Sequence, residues 1–168
     1  MIFTIGTSDR TLAAFGDELA KRNIRHLIDV RSSPRSRYAH FNSDQMERWA
    51  ERGGVFYRWA GDVLGGRSEI EFDDDRYTDA LGLIVQAANR EPVAIFCAEG
   101  DPRECHRSYE IGATLLVRFG IEAVNIRRDG SDQTVTNTLA LTKPVLIPEA
   151  IRREVGERVL SSQTELPF

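Results

Sequence analysis

Two thiols, an imidazole, three carboxylates and two guanidiniums fall within eleven residues. They are Cys97, Glu99, Asp101, Arg103, Glu104, Cys105, His106 and Arg107. The segment opens as a short apolar run, Val93-Ala94-Ile95-Phe96-Cys97, breaks through Gly100, and re-enters a helix. Asp101 is placed as its N-cap, Pro102 at its first position and Glu104 at its third. Loops of this kind, at the carboxyl end of a strand, hold ligands in open α/β sheets. Cys97 and Cys105 are candidate nucleophiles or redox groups, and Glu99 and His106 candidate proton carriers. A thiol facing a helix N-terminus, with Arg103 or Arg107 nearby, has reason to ionise below its ordinary range. The Cys-x5-Arg spacing from Cys97 to Arg103 also suits a loop wrapped around an oxyanion. Each residue has a plainer reading: Cys97 as a small hydrophobe ending a strand, Cys105 as packing, His106 as a hydrogen-bonded imidazole.

Further polar residues recur after other strand-like runs. Gly6 and Ser8 follow the first. Asp29 ends the second and leads into Arg31, Arg35 and Arg37, an anion clamp or else a solvated loop. Gly65, Gly66 and Arg67 form a turn through which backbone can approach a ligand closely. In a parallel sheet, all four groups share one rim. Ligand-binding candidates are therefore Gly6, Ser8, Asp29, Arg31, Arg37, Gly65, Gly66, Arg67 and Arg107. By residue type, Cys97, Cys105, His106 and His40 could make a zinc set. The spacing contains no C-x2-C pair, and neighbours on one helix point about 100° apart, so neither metal nor cofactor is assigned.

The elements that must hold these residues alternate strand and helix. Strands are expected over 2–5, 26–30, 55–59, 93–97 and 123–127. Helices are expected over 11–23, 43–52, 76–89, 102–119 and 148–160. Residues 61–75 read as loop, 128–133 as a turn, and 135–147 as ambiguous. The expected fold is α/β: a single-domain three-layer sandwich with a mostly parallel sheet of about five strands, Rossmann-like. The domain is placed at 1–160 and a flexible tail at 161–168.

The 168 residues carry a net charge of −4, which argues against coating nucleic acid through bulk electrostatics. Arginine supplies 20 of the 22 basic residues. This is a genomic composition bias or a use of guanidiniums as bidentate anion ligands. No apolar run spans a bilayer, no basic leader precedes the first strand, and two unpaired cysteines suit a reducing compartment. A cytoplasmic location and no membrane partner are expected.

Together these elements resemble the family catalogued as domain of unknown function 488. The matching residues are Thr4-Ile5-Gly6 with Ser8; Asp29-Val30-Arg31 with Pro34, Ser36 and Arg37; and Leu64-Gly65-Gly66-Arg67. The last group is Cys97-Ala98-Glu99, Asp101-Pro102 and Cys105-His106-Arg107. The likeness spans about residues 1–127 and implies the same fold and shared rim, with no settled activity. The chain departs from the pattern at Thr7 and Asn125, where that family commonly shows His, which removes two imidazoles from any metal or histidine cluster.

The final residues, Gln163-Thr164-Glu165-Leu166-Pro167-Phe168, resemble short peptides that dock on the bacterial sliding clamp, with Gln163, Leu166 and Phe168 as contacts. Tethering of that kind raises effective concentration near DNA despite an acidic charge. Two functions are compatible with these residues. One is an enzyme-like domain whose Arg/Cys/His/Glu pocket takes a phosphorylated or nucleic-acid-derived anion. The other is a non-catalytic nucleic-acid or repair-associated module recruited by its tail.

Overall fold

A computed structural model describes residues 1–8 and 10–164. Among these residues the strands form one sheet, β3-β2-β4-β1-β5-β6. The strands β1 (Ile2–Gly6), β2 (His26–Asp29), β3 (Phe56–Trp59), β4 (Val93–Cys97) and β5 (Val124–Ile126) are parallel neighbours. The sixth strand, β6 (Asp132–Thr134), runs antiparallel to β5. It lies mainly in the segment expected to be a turn. Three polar residues, Asp-Gln-Thr, carry no apolar alternation, so only the ladder with β5 reveals them as strand.

β1 and β4 are buried along their whole length, as central strands covered on both sides must be. Alternate residues feed two separate cores. Phe3, Ile5, Leu27 and Phe96 face α1 (Leu12–Lys21) and α2 (Ser43–Arg52), packing with Phe15, Leu19, Met46 and Trp49. Ile2, Ile28, Ile95 and Cys97 belong to the opposite core. There they meet residues of α4 (Asp75–Ala88), α5 (Ala113–Phe119), α6 (Val135–Leu139) and α7 (Glu149–Thr164). A short α3 (Gly61–Leu64) interrupts the expected loop. β1 and β4, side by side, therefore send their chains to opposite faces. The crevice between their carboxyl ends is the switch point where open α/β sheets take ligands.

The stretch 102–119 is not the single helix its periodicity predicts. Asp101 does cap it, accepting the Arg103 N–H at 2.9 Å. The chain then makes a 3-10 turn at Pro102–Glu104 and extends at Cys105, with φ −118° and ψ 132°. A π-helical turn, Arg107–Gly112, leads into α5. The 135–147 segment resolves into α6 and a 3-10 turn at Pro144–Leu146. α7 continues through Thr164, past residue 160 where the sequence suggested that regular structure ends. No helix among the described residues is long and apolar enough to cross a membrane.

Candidate functional site

The four polar segments do meet at the carboxyl rim. Past the end of β1, the Thr7 N–H donates to the Cys97 carbonyl and the Ser8 N–H to the Ala98 carbonyl, both at 2.9 Å. A Cβ on Gly6 would stand 2.0 Å from the Glu99 carbonyl oxygen, so that approach requires glycine. The turn after α3 closes on the loop after β2. Gly65 lies against Ser32, whose hydroxyl accepts the Arg67 N–H at 2.9 Å. Gly66 leaves room for His106; a Cβ there would meet the imidazole Cγ at 2.8 Å.

His106 is the hub. Its Nε2 lies 3.2 Å from the Val30 carbonyl oxygen and 3.1 Å from that of Leu64. Carbonyls only accept, so Nε2 carries the hydrogen. Nδ1 then faces both thiols, 3.9 Å from Cys97 Sγ and 3.8 Å from Cys105 Sγ. All three side chains are at least nine-tenths buried. Neighbours in sequence converge here because the backbone at Cys105 is extended. On a regular helix they would diverge, as their spacing predicts.

The two thiols titrate as a pair. Interaction with Cys105 and burial push Cys97 up. Cys105 is pulled well down, first by its hydrogen bond with Cys97, then by Arg107 and His106, against the cost of burial. The more acidic thiol is thus Cys105, not the strand-end Cys97. Burial disfavours the imidazolium of His106, but Cys105, Glu110 and the Val30 carbonyl outweigh it and raise its pKa. Glu110, which no motif singled out, is a largely buried carboxyl on the same π turn. Burial raises its pKa, with His106 and Tyr77 acting the other way.

The arginines go to several places. Arg31 is buried on the opposite face of the sheet, stacked over Phe96 at 5.0 Å. Its Nε and Nη2 donate to Asp29 at 2.8 and 2.6 Å. Tyr57 OH donates to the same carboxylate at 2.8 Å, and Arg31 Nη1 is buried without a partner. Arg107, fully buried, donates to Thr4 Oγ1 at 3.2 Å, to the Gly100 carbonyl at 3.1 Å and to the Glu99 carbonyl. Arg37 is exposed over Tyr38 and Arg67 is exposed at the glycine turn. The expected row of guanidiniums around one mouth is therefore not formed. Two of the four are turned inward because the chain's own acceptors lie closer.

The family described as Domain of unknown function DUF488 matches residues 11–109. The chain belongs to that family. The match ends within the π turn and takes in β2, β3, β4 and the Cys97–His106 centre, a narrower span than the resemblance suggested. No curated protein matches this DUF488 chain.

Where the chain departs from the expected family pattern, the DUF488 fold holds other polar groups. Thr7 is buried at the rim. Asn125 Oδ1 accepts from Thr4 Oγ1 at 2.6 Å, while Nδ2 donates to Ser108 at 3.1 Å and Thr138 at 2.8 Å. This network continues through Thr4 to Arg107 and anchors the π turn behind the thiols. No motif pointed to Ser108 or Thr138, and Thr4 entered only through the family likeness, with no role assigned; a Thr in an otherwise apolar β1 was the available signal.

Outside the thiols, the 97–107 loop forms one wall of a cleft of about 800 Å³, lined by Ser8, Glu99, Asp101, Arg103, Arg127 and Gln133 among others. Glu99 is exposed there, its Oε1 accepting the Asp101 N–H at 3.0 Å. Arg103 pairs with Asp101 on the surface. His40, the fourth residue of the zinc set, lies apart from the centre, stacked with Tyr38 and tilted on Phe41. Of the residues expected from sequence to contact a sliding clamp, Gln163 lies within α7, while Leu166 and Phe168 lie outside the described residues.

Proposed function

We propose that this chain is an enzyme whose reaction centre is Cys97, Cys105 and His106. Its substrate is then a phosphorylated or nucleic-acid-derived anion seated in the adjacent cleft. The observation that carries the reading is the double use of one loop. Residues 97–107 hold both thiols and the imidazole on the inner side and the Glu99–Arg103 wall of the cleft on the outer. The paired thiols favour a single thiolate, held by a hydrogen bond from its neighbour and by the charge of Arg107, with His106 placed to move a proton. Arg127 and Arg103 supply guanidiniums at the cleft for anionic oxygens. Helices over both faces of a mostly parallel sheet are read as the three-layer, Rossmann-like arrangement.

The test is to screen inorganic phosphate, pyrophosphate, 5′-mononucleotides and short single-stranded DNA for thermal stabilisation, and then for turnover. Binding is expected to weaken in Arg127→Ala and to persist in Cys105→Ser, with turnover lost in the latter. If no anion in the panel binds, the reading is wrong. Recruitment to a sliding clamp through Gln163, Leu166 and Phe168 is a separate proposal resting on the sequence motif alone.

A further inference from the structure

We infer that Cys97, Cys105 and His106 form a binding site for one thiophilic divalent cation, of which Zn²⁺ is the representative. This deepens the reading above, because the cation would occupy the same centre. Two sulfurs and one imidazole nitrogen are the ligands that zinc prefers over magnesium or calcium. Their three donor atoms lie within 4.8 Å of one another, and all three residues are buried.

The separations also suit a metal. Zinc bonds of ~2.3 Å to sulfur and ~2.0–2.1 Å to nitrogen in a tetrahedron place sulfur and nitrogen about 3.6 Å apart. The observed separations are 3.9 Å for Cys97 and 3.8 Å for Cys105. Each sulfur–nitrogen pair therefore needs to close by only a few tenths of an ångström, and the two sulfurs lie within 4.8 Å of each other.

The imidazole is also prepared for the task. Both carbonyls on Nε2 fix the hydrogen there and aim the Nδ1 lone pair between the sulfurs. A backbone carbonyl on the far nitrogen is the usual support of a metal-bound histidine. These carbonyls come from the ends of β2 and α3, so the cation would tie three segments of the chain together. The objection from sequence, that Cys105 and His106 diverge on a helix, fails because Cys105 is extended. Binding is balanced as Zn²⁺ plus the Cys97 thiol and the Cys105 thiolate giving two zinc–thiolate bonds and one released proton, with His106 ligating as the neutral base. Among the described residues no fourth Cys, His, Asp or Glu joins the group, so the fourth position falls to solvent or substrate.

The experiment titrates reduced, chelator-treated full-length protein with Co²⁺, then Zn²⁺. One equivalent of Co²⁺ is expected to give thiolate-to-metal charge transfer and the intense visible bands of tetrahedral cobalt, both bleached by one equivalent of Zn²⁺. Cys97→Ser and Cys105→Ser, checked for folding by circular dichroism, should each bind more than about 100-fold more weakly, beyond what outer-shell changes cost. His40→Ala should bind as the parent does. Apparent affinity should rise with pH as the thiol proton is released. Octahedral, unshifted cobalt spectra in folded parent protein, with both thiols equally reactive with and without Zn²⁺, would overturn the inference. Repeating the anion titrations on metal-free protein separates the two readings. Anion binding without metal binding removes only the cation; the reverse result removes only the anionic substrate.

Discussion

Arg31 and Arg107 flank β4 on opposite faces of the sheet and are almost equally buried, at 4% and 0% exposure. They differ in what accepts their hydrogen bonds. Arg31 forks onto the Asp29 carboxylate, so the pair is internally neutral and its field is short. Arg107 meets a hydroxyl and two backbone carbonyls, and among the described residues no carboxylate pairs with it. Its positive charge is left to act on its surroundings: it helps to pull Cys105 down and partly opposes the rise of Cys97. A buried arginine that meets a carboxylate is a structural brace. One that meets carbonyls is a brace and also a source of potential at the centre beside it.

Breaking the neutral pair should have the largest effect. Asp29→Ala leaves the Arg31 charge buried and alone, and should cost about 3–5 kcal/mol in urea unfolding. The double variant Asp29→Ala/Arg31→Met should recover much of that loss. If the single variant is no worse than the double, the two arginines do not differ as described.

Next is Arg107→Met. It leaves two carbonyls and Thr4 short of a donor and should cost about 2–3 kcal/mol. It should also move the ultraviolet titration of the thiolate to higher pH, whereas Arg31→Met leaves that titration in place. Identical thiol titrations in both variants would erase the contrast.

Glu110→Gln sharpens the comparison from the other side, since this carboxyl shares the π turn with Arg107. Burial holds its folded pKa above the ordinary 4.5, so the folded state binds the proton more tightly than the unfolded chain. Stability from this group is full at low pH and declines as pH rises through the window between those two pKa values. The substitution should therefore raise the thermal midpoint at neutral pH and have no such benefit in acid. A midpoint lowered at neutral pH and unchanged in acid would show instead that the carboxylate is paired. The smallest effect is expected for removal of residues 163–168. Stability should change by less than about 0.5 kcal/mol, while any retention on immobilised sliding clamp disappears. Equal retention with and without them ends the clamp proposal.

Much of this architecture was legible before folding. Apolar runs, interrupted only by Thr4 in β1, identified β1 and β4 because both faces of those strands are covered. The 3.6 spacing of Leu12, Phe15 and Leu19 identified α1 because only one side of that helix is buried. Glycines at 6, 65 and 66 marked the rim because close backbone approach leaves no room for a side chain. The short polar β6 was not legible, since nothing in Asp-Gln-Thr distinguishes a ladder from a turn.

The amino-acid sequence alone determined the alternation of strand and helix, the rim on which the chemistry lies, and the residue types gathered there. All of these stem from local patterning of apolar, glycine and capping residues. Only the tertiary structure decided that Cys105 and His106 turn to the same point, that Arg31 closes on Asp29, and that Arg107 reaches Thr4, 103 residues away. The direction of a side chain in such a loop is set by backbone kinks and by acceptors that the sheet order brings alongside, and neither is encoded within the segment itself.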